Sequence, residues 1–424
     1  MMALLVIGLF LLFIAVGVPI AFSLGFSALV YLLVAGLPVT VIPQTMFAGL
    51  DSFVMLAIPA FILAGNLMNA GGITNRIIDF ANALVGHIRG GLALTNVASS
   101  LGFGGISGTA LSDTASIGSV MIPAMKKQGY GSGFSAAVTS ISSTVGPMLP
   151  PSLPMIIIGT LATISIGDLF VAGAIPGVLL SIGFLIVTYL ISVKRQYPKG
   201  RKHSVSEIGK SFLGAFWALL MVVIILWGIL GGYFTPTEAA VVVVFYAFIV
   251  GKFVYKELDL KEIPVIMMDT LRTTASILIL VALANTFGWI LVAEGVPLLV
   301  ADVILSITEN PFFVILLIIL LLLIIGMFME TIAAIVILFP VLLPVAESIG
   351  MDPIHFSIVM VLALMIGLST PPVGVCLFVA SSFANVKIMT TVKELIPYFV
   401  VAIIVLIIVA FVPSLSLFLP SLFE

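Results

Sequence analysis

The sequence predicts an all-α integral membrane protein of two inverted repeats, each with a re-entrant helical hairpin and a broken transmembrane helix. Three observations carry this prediction. Of 424 residues, 62% are hydrophobic and 8% charged, with a mean hydropathy of +1.37, far outside the range of a soluble domain. Five proline pairs stand 221 residues apart: Pro43/Pro264, Pro123/Pro344, Pro150/Pro371, Pro151/Pro372 and Pro176/Pro397. Chance would give roughly 0.6 such pairs. Finally, one crossing map puts all 16 Lys and Arg residues on the same side of the membrane, as cytoplasmic loops require.

The shared offset extends to Gly105/Gly326, Gly129/Gly350 and Gly146/Gly367. Proline removes a backbone donor, so the matched prolines mark helix breaks repeated in each half. The first repeat, 1–193, is read as crossings at 2–17, 19–36 and 52–70, an amphipathic arm 74–88, a hairpin 90–126, a broken helix 131–163 and a helix 168–193. A polar stretch, 194–210, follows as a cytoplasmic loop. The second repeat, 211–424, has crossings at 211–231, 236–255 and 270–292, an arm 294–309, a hairpin 311–346, a broken helix 354–385 and a helix 397–417. Each half crosses an odd number of times, so the second inserts upside down.

Charge fixes the orientation. With both termini periplasmic, basic residues such as Arg76, Arg89, Lys126, Arg195, Lys252 and Lys387 lie inside, and acids such as Asp51, Asp168, Glu238, Glu294 and Asp352 lie outside. The first hairpin then enters from the cytoplasm and the second from the periplasm. Met1-Met2-Ala3 has no basic n-region, so the first segment is expected to remain as a membrane helix.

The hairpin tips and helix breaks carry the candidate chemistry. The first tip, Gly104 to Thr114, is rich in small and hydroxyl residues, with Asp113 inside it. Glycine lets the chain turn, and Ser and Thr offer neutral oxygens to a hard cation. The matching tip, Gly326 to Thr331, has fewer hydroxyls but carries Glu330. Acids at membrane depth mark function by default, with helix capping as the rival role. For Asp113 capping is the favoured role; for Glu330 it is substrate contact. The breaks, Ser142 to Ser152 and Gly367 to Gly374, each contain a Pro-Pro pair. Carbonyls released there suit a cation, and half-helix N-termini suit an anion. Two cation sites flanking an anionic substrate follow.

Other chemistries lack residues. There is no GxxxxGK[ST] loop for a nucleotide. The three histidines, His87, His203 and His355, have no ligand spacing for a transition metal, and the single cysteine, Cys376, is read as a packing residue. No nucleic-acid partner is expected from a net charge of −2.

The chain resembles the large membrane subunit of tripartite ATP-independent periplasmic (TRAP) transporters over nearly its whole length. The resemblance rests on GVPIAFSLGFSAL from Gly17, LAIPAFILAGNLMNAGGI from Leu56, GGISGTALSDTASIGSVMIPAM from Gly104, STVGPMLPPSLPMIIIG from Ser143, FTPTEAA from Phe234, GMFMETIAAIVILFPVLLP from Gly326 and TPPVG from Thr370. It implies an elevator-type ion-transporter fold in the bacterial inner membrane, not an enzyme. It also implies Na⁺-driven import of an organic acid such as a C4-dicarboxylate, a sialic acid or another sugar or keto acid. The implied partners are a periplasmic substrate-binding protein and a small four-helix membrane subunit, here expected as a separate chain. In this picture hairpins and broken helices move against the remaining helices and arms. By resemblance, one Na⁺ site falls on Ser107, Thr109, Gly146, Leu149 and Pro151, and a second on Gly326, Gly367, Thr370 and Val373. Thr109, Ser152 and Glu330 would lie near the substrate. The family hairpins often have Ser at the position of Thr109 and Asp at that of Glu330. The rival readings are a stand-alone Na⁺/dicarboxylate symporter, an intramembrane enzyme using Asp113 and Glu330 as an acid pair, and a channel.

Overall fold

Long apolar stretches must satisfy their backbone groups internally, and here they do so as helices. A computed structural model describes residues 2–308 and 310–423, and only the backbone of residues 3, 4, 107, 301, 304, 305 and 307. Residue 309, the end of the expected second arm, and the side chain of Ser107 therefore lie outside the described residues. Eight helical segments among the described residues are long and apolar enough to span a membrane, and shorter apolar helices accompany them. This is a multi-pass membrane protein.

The first repeat opens with α1 (Met2–Ala15), α2 (Ile20–Ala35), α3 (Val41–Leu50) and α4 (Ala57–Ala70). Then come the arm α5 (Ile73–Val85), the hairpin α6 (Gly91–Ser107) and α7 (Ala110–Lys127), and the broken helix α8 (Ser132–Ser142) and α9 (Leu153–Ala162). A short α10 (Ile166–Ala172) and α11 (Ala174–Lys194) finish the half. The second repeat runs through α12 (Val205–Leu230), α13 (Pro236–Ile249), α14 (Ile263–Ala293) and the arm α15 (Val296–Ile307). Its hairpin is α16 (Pro311–Gly326) and α17 (Thr331–Ser348), its broken helix α18 (Pro353–Gly367) and α19 (Val375–Ala384), and its last long helix α20 (Ile388–Phe411). The elements follow the duplication closely: α7 and α17 begin 221 residues apart, at Ala110 and Thr331.

Two stretches differ from the sequence expectation. Residues 41–50, outside every expected crossing, form α3, and their repeat partners form the front of the 31-residue α14. The chain breaks after α3, where Asp51 leaves helical geometry at φ −77°, ψ 59°. In the second half it stays continuous. The last helix starts at Ile388, ahead of the expected 397, because Pro397 is accommodated inside it.

Local sequence fixes the ends. Ser204 and Thr235 each form a capping box, with Glu207 and Glu238 respectively, and Pro236 follows at the first helical position. Buried His355 bonds the Ser416 hydroxyl at 2.5 Å and the Ala410 carbonyl at 3.1 Å, tying α18 to the end of α20.

Packing sorts the helices into two groups. In one, α4 packs on α13, and α14 on α2, α3 and α4. Polar contacts between repeats reinforce it: Asn66 donates to Thr270 at 2.9 Å, Thr45 and Thr286 share a bond at 2.8 Å, and Asn285 donates to the Thr45 carbonyl at 2.9 Å. In the other, each break packs beside a hairpin: α19 contacts α7, and α9 contacts α17. The helices α11 and α20 belong with this second group. They pack on each other, α11 also on α6 and α20 on α8 and α18. The division of the chain into hairpins plus broken helices on one side and all remaining helices on the other therefore shifts by these two. Buried Thr188 and Tyr398 share a hydrogen bond at 3.0 Å within their contact.

Candidate functional site

Both hairpin tips meet their breaks through glycine. At the first, Gly104 and Gly146 face each other so closely that a Cβ on Gly104 would strike the Gly146 backbone. Gly108 turns the tip at φ +66°, and a Cβ there would stand 2.9 Å from the Pro151 carbonyl oxygen. The Gly108 carbonyl in turn accepts from the Leu153 amide at 3.4 Å. At the second, a Cβ on Gly367 would lie 2.6 Å from the Gly326 Cα. Gly374, one repeat on from Leu153, donates its amide to the Met327 carbonyl at 3.3 Å. Each repeat has thus built a tip-to-break backbone bond from the same position of its break, to acceptors two residues out of register. Peptides Pro150–Pro151 and Pro371–Pro372 are both cis. The second break also bonds the first broken helix, since the Ser369 hydroxyl donates to the carbonyl of Ser140 in α8 at 2.9 Å and the Ser140 hydroxyl to the Ser369 hydroxyl at 3.2 Å.

The expected cation ligands fall on these contacts. Gly146, Leu149 and Pro151 lie in one break, against the tip that bears Thr109; the Leu149 amide donates to the Gly146 carbonyl at 2.9 Å. Gly326, Gly367 and Thr370 are gathered at the other, where the Thr370 amide donates to the Gly367 carbonyl at 2.8 Å. The Thr370 hydroxyl gives its proton to the Ile366 carbonyl at 2.8 Å, leaving oxygen lone pairs for another partner. Val373 sits in the exposed part of the same turn.

Asp113 does not cap α7. Thr109 does: its hydroxyl accepts from the Ser112 amide at 3.3 Å, and the Asp113 amide bonds the Thr109 carbonyl at 3.2 Å. Asp113 lies a turn further on, fully buried, with Oδ2 where a Cβ on Gly146 would go. Its carboxyl group still lies in the first turn, beside the positive end of the helix. Ser152 is fully buried and caps α9, accepting from the Met155 amide at 3.4 Å. Glu330 caps α17 while remaining exposed, its Oε2 accepting from the Ile332 amide at 2.8 Å and the Ala333 amide at 3.3 Å.

A cavity of about 580 Å³ brings Thr109 and Glu330 together. Ala110 and Leu111 of one hairpin and Thr331 to Ala333 of the other line it, with Pro147 and Pro154 of one break and Met365, Leu368 and Cys376 of the other. The opposite wall is α2, through Pro19 to Phe22, and α14, through Thr273, Ser276, Ile277 and Leu280. Ser152 is outside this lining. Cys376, read from sequence as packing, is fully buried and also forms part of the cavity wall. Sequence reasoning missed the α14 wall. Its signal was present as hydroxyls at 273 and 276 and apolar residues at 277 and 280, spaced to share a helix face.

The family model of the tripartite ATP-independent periplasmic transporter, DctM component, matches residues 7–415. The chain is 43% identical over 408 residues to the sialic acid TRAP transporter large permease protein SiaM of Vibrio cholerae, covering 96% of each chain. It is 42% identical to the isethionate TRAP transporter permease protein DctMQ of Oleidesulfovibrio alaskensis, covering 97% of this chain and 65% of that one. Identity to the C4-dicarboxylate TRAP transporter large permease protein DctM of Pseudomonas aeruginosa is 38%, over 94% of each. In fold, the chain is similar to the YdaH transporter of Alcanivorax borkumensis, with a TM-score of 0.61 at 15% identity over 89% of this chain and 88% of that one. These are transporter components, not enzymes. The chain belongs to the DctM-component family of tripartite ATP-independent periplasmic transporters.

Proposed function

We propose that this chain is the large permease subunit of a Na⁺-driven importer of an organic acid, working by an elevator movement. The observation that carries the reading is the cavity itself. It lies between two glycine-packed hairpin–break units on one side and α2 and α14 on the other. A ligand held there touches both packing groups, so relative movement of the groups would carry it across the membrane.

Na⁺ is the co-transported cation in this reading. The residues fit it: backbone carbonyls and hydroxyls at the breaks offer neutral oxygens, and the glycine contacts leave no room for a Cβ. Site one comprises Thr109, Gly146, Leu149 and Pro151, with Ser107 assigned from sequence; site two comprises Gly326, Gly367, Thr370 and Val373. Inward movement of positive charge gains about 2.3 kcal/mol per elementary charge at 100 mV. Glu330 and Thr109 contact the acid.

The acid is delivered by a periplasmic binding protein, and a small four-helix membrane subunit completes the complex. The family description as one component of a tripartite system supports this. The relatives named for sialic acid, isethionate and C4-dicarboxylates support a cargo among organic acids. Contacts join groups that the charge map puts on one face of the membrane. Arg76 pairs with Glu257 and Arg195 with Glu394 on the face assigned to the cytoplasm; Tyr31 bonds Glu294 on the other.

The test is uptake by proteoliposomes holding this chain and its small subunit, with candidate acids presented with and without their binding proteins. Uptake that needs an inward Na⁺ gradient and a binding protein is expected. Uptake driven by Na⁺ but indifferent to any binding protein would replace this reading with the stand-alone symporter.

A further inference from the structure

We infer that the acid has a second resting place on this chain, against Ser52 and Leu56 ahead of α4, Pro59 within it and Val241 of α13, on the face of the membrane assigned to the periplasm. The inference rests on the reading of the cavity as the transport site.

Parts that the duplication made alike are packed differently in the two halves. In the first, the arm α5 and the helix α4 pack chiefly on α6, the first helix of the hairpin. In the second, their partners α15 and α14 pack chiefly on α17, the second helix of its hairpin. Each way of holding a hairpin is thus present once in the molecule. Exchanging the two arrangements between the halves gives a second state built from contacts of the same kind.

The wall opposite the hairpins comes from one end of the membrane only. It is formed by Pro19 to Phe22, where α2 begins, and by Thr273, Ser276, Ile277 and Leu280 of α14, counted from its start at Ile263. The charge map turns both of these helix starts towards the cytoplasm. The exchange carries the wall by 221 residues, to 240–243 in α13 and to 52, 55, 56 and 59. Asp51 and Glu238 mark that end as periplasmic.

The second wall is already assembled. The Thr237 hydroxyl donates to the Phe53 carbonyl at 2.8 Å, and α13 packs on α4. Leu56 and Val241 are 56% and 45% exposed, so the rest of the chain leaves this surface open. The turn Phe53–Leu56 touches α9, the half-helix after the first break. Movement of the hairpin group towards the periplasm replaces α9 there with the hairpin tips. Leu56 with Ile332 then becomes the image of Ile277 with Leu111, which line one cavity in the structure. Ser52 stands where Thr273 does in the other half, and Met55 where Ser276 does. The acid therefore meets one wall hydroxyl on the periplasmic side and two on the cytoplasmic side, while Thr109 and Glu330 travel with it.

The experiment uses the complex in proteoliposomes, a bifunctional thiol reagent and a Cys376→Ala background. Leu56→Cys with Ile332→Cys should be bridged while the transporter takes up acid, and uptake should fall as the bridged fraction rises. Val241→Cys with Ile332→Cys is the second pair, and serves if the first does not fold. Leu56→Trp, which fills the same place, should raise the acid concentration for half-maximal uptake about tenfold or more, with thermal unfolding close to wild type. A bridge at neither pair in variants that still take up acid, or wild-type uptake by Leu56→Trp, overturns the inference and leaves the cavity as the transport site. Absence of Na⁺-driven uptake by the wild type removes both.

Discussion

Gly367 and Thr370 separate two roles within one turn. A methyl group on Gly367 would press on the Gly326 backbone at 2.6 Å, and no flexible side chain there can yield. Gly367→Ala is expected to lower thermal stability and reduce uptake about tenfold or more, whereas Gly288→Ala, which has nothing within 4 Å, should change neither. Thr370→Ala removes a hydroxyl without disturbing packing of that kind. It should raise the Na⁺ concentration for half-maximal uptake, with thermal unfolding close to wild type. Unchanged Na⁺ dependence in Thr370→Ala would remove that residue from the cation site.

Among elements, the segment after α11 shows which contacts hold the hairpin group together at its assigned cytoplasmic end. Arg195 binds Glu394 through two bonds, 3.1 and 2.7 Å, and the pair is partly exposed. Its hydrogen bonds to Glu394 push the guanidinium pKa still higher, so it stays charged at any working pH. Tyr197 packs against Tyr130 and Phe134, with ring centroids 4.4 and 5.2 Å away. Exposed ion pairs contribute up to about 1 kcal/mol, and an aromatic pair about 0.5–1.5 kcal/mol beyond its burial. Tyr197→Ala should therefore lower the melting temperature more than Arg195→Ala does, and only the arginine variant's loss should be mimicked by high salt. The elements most legible in sequence were those with a chemical signature. Glycine and proline at 105, 146, 150 and 151 and their partners announced both tips and both breaks, because glycine lets neighbouring segments approach closely and proline interrupts the helical hydrogen bonding. The helix α3 had no such mark. Its repeat partner is hidden inside continuous α14, and hydropathy alone does not separate a short helix from the end of a long one. The cap of α7 is Thr109, in extended geometry at φ −137° and ψ 137°, and not Asp113; an acid and a hydroxyl within one turn of each other are equally good cap candidates in sequence.

Over the whole molecule, the duplication sets where the cavity lies. Each repeat supplies one hairpin, one break and one wall helix, so the site forms only where the halves meet. That meeting could not be read along the chain. Thr273 and Ser276 are ordinary helix hydroxyls until α14 is packed opposite Glu330. The assignment of α11 and α20 to the hairpin group likewise depended on contacts that hydropathy does not encode. The elevator reading requires the wall helices to part from the hairpins in each cycle. The most direct measurement is uptake by a Leu111→Cys, Leu280→Cys variant in a Cys376→Ala background, which places one thiol on each side of the cavity. Bridging them with a bifunctional thiol reagent should abolish uptake, and cleavage of the bridge should restore it. Undiminished uptake with the bridge fully formed would show that the two groups do not move apart, and would contradict the mechanism.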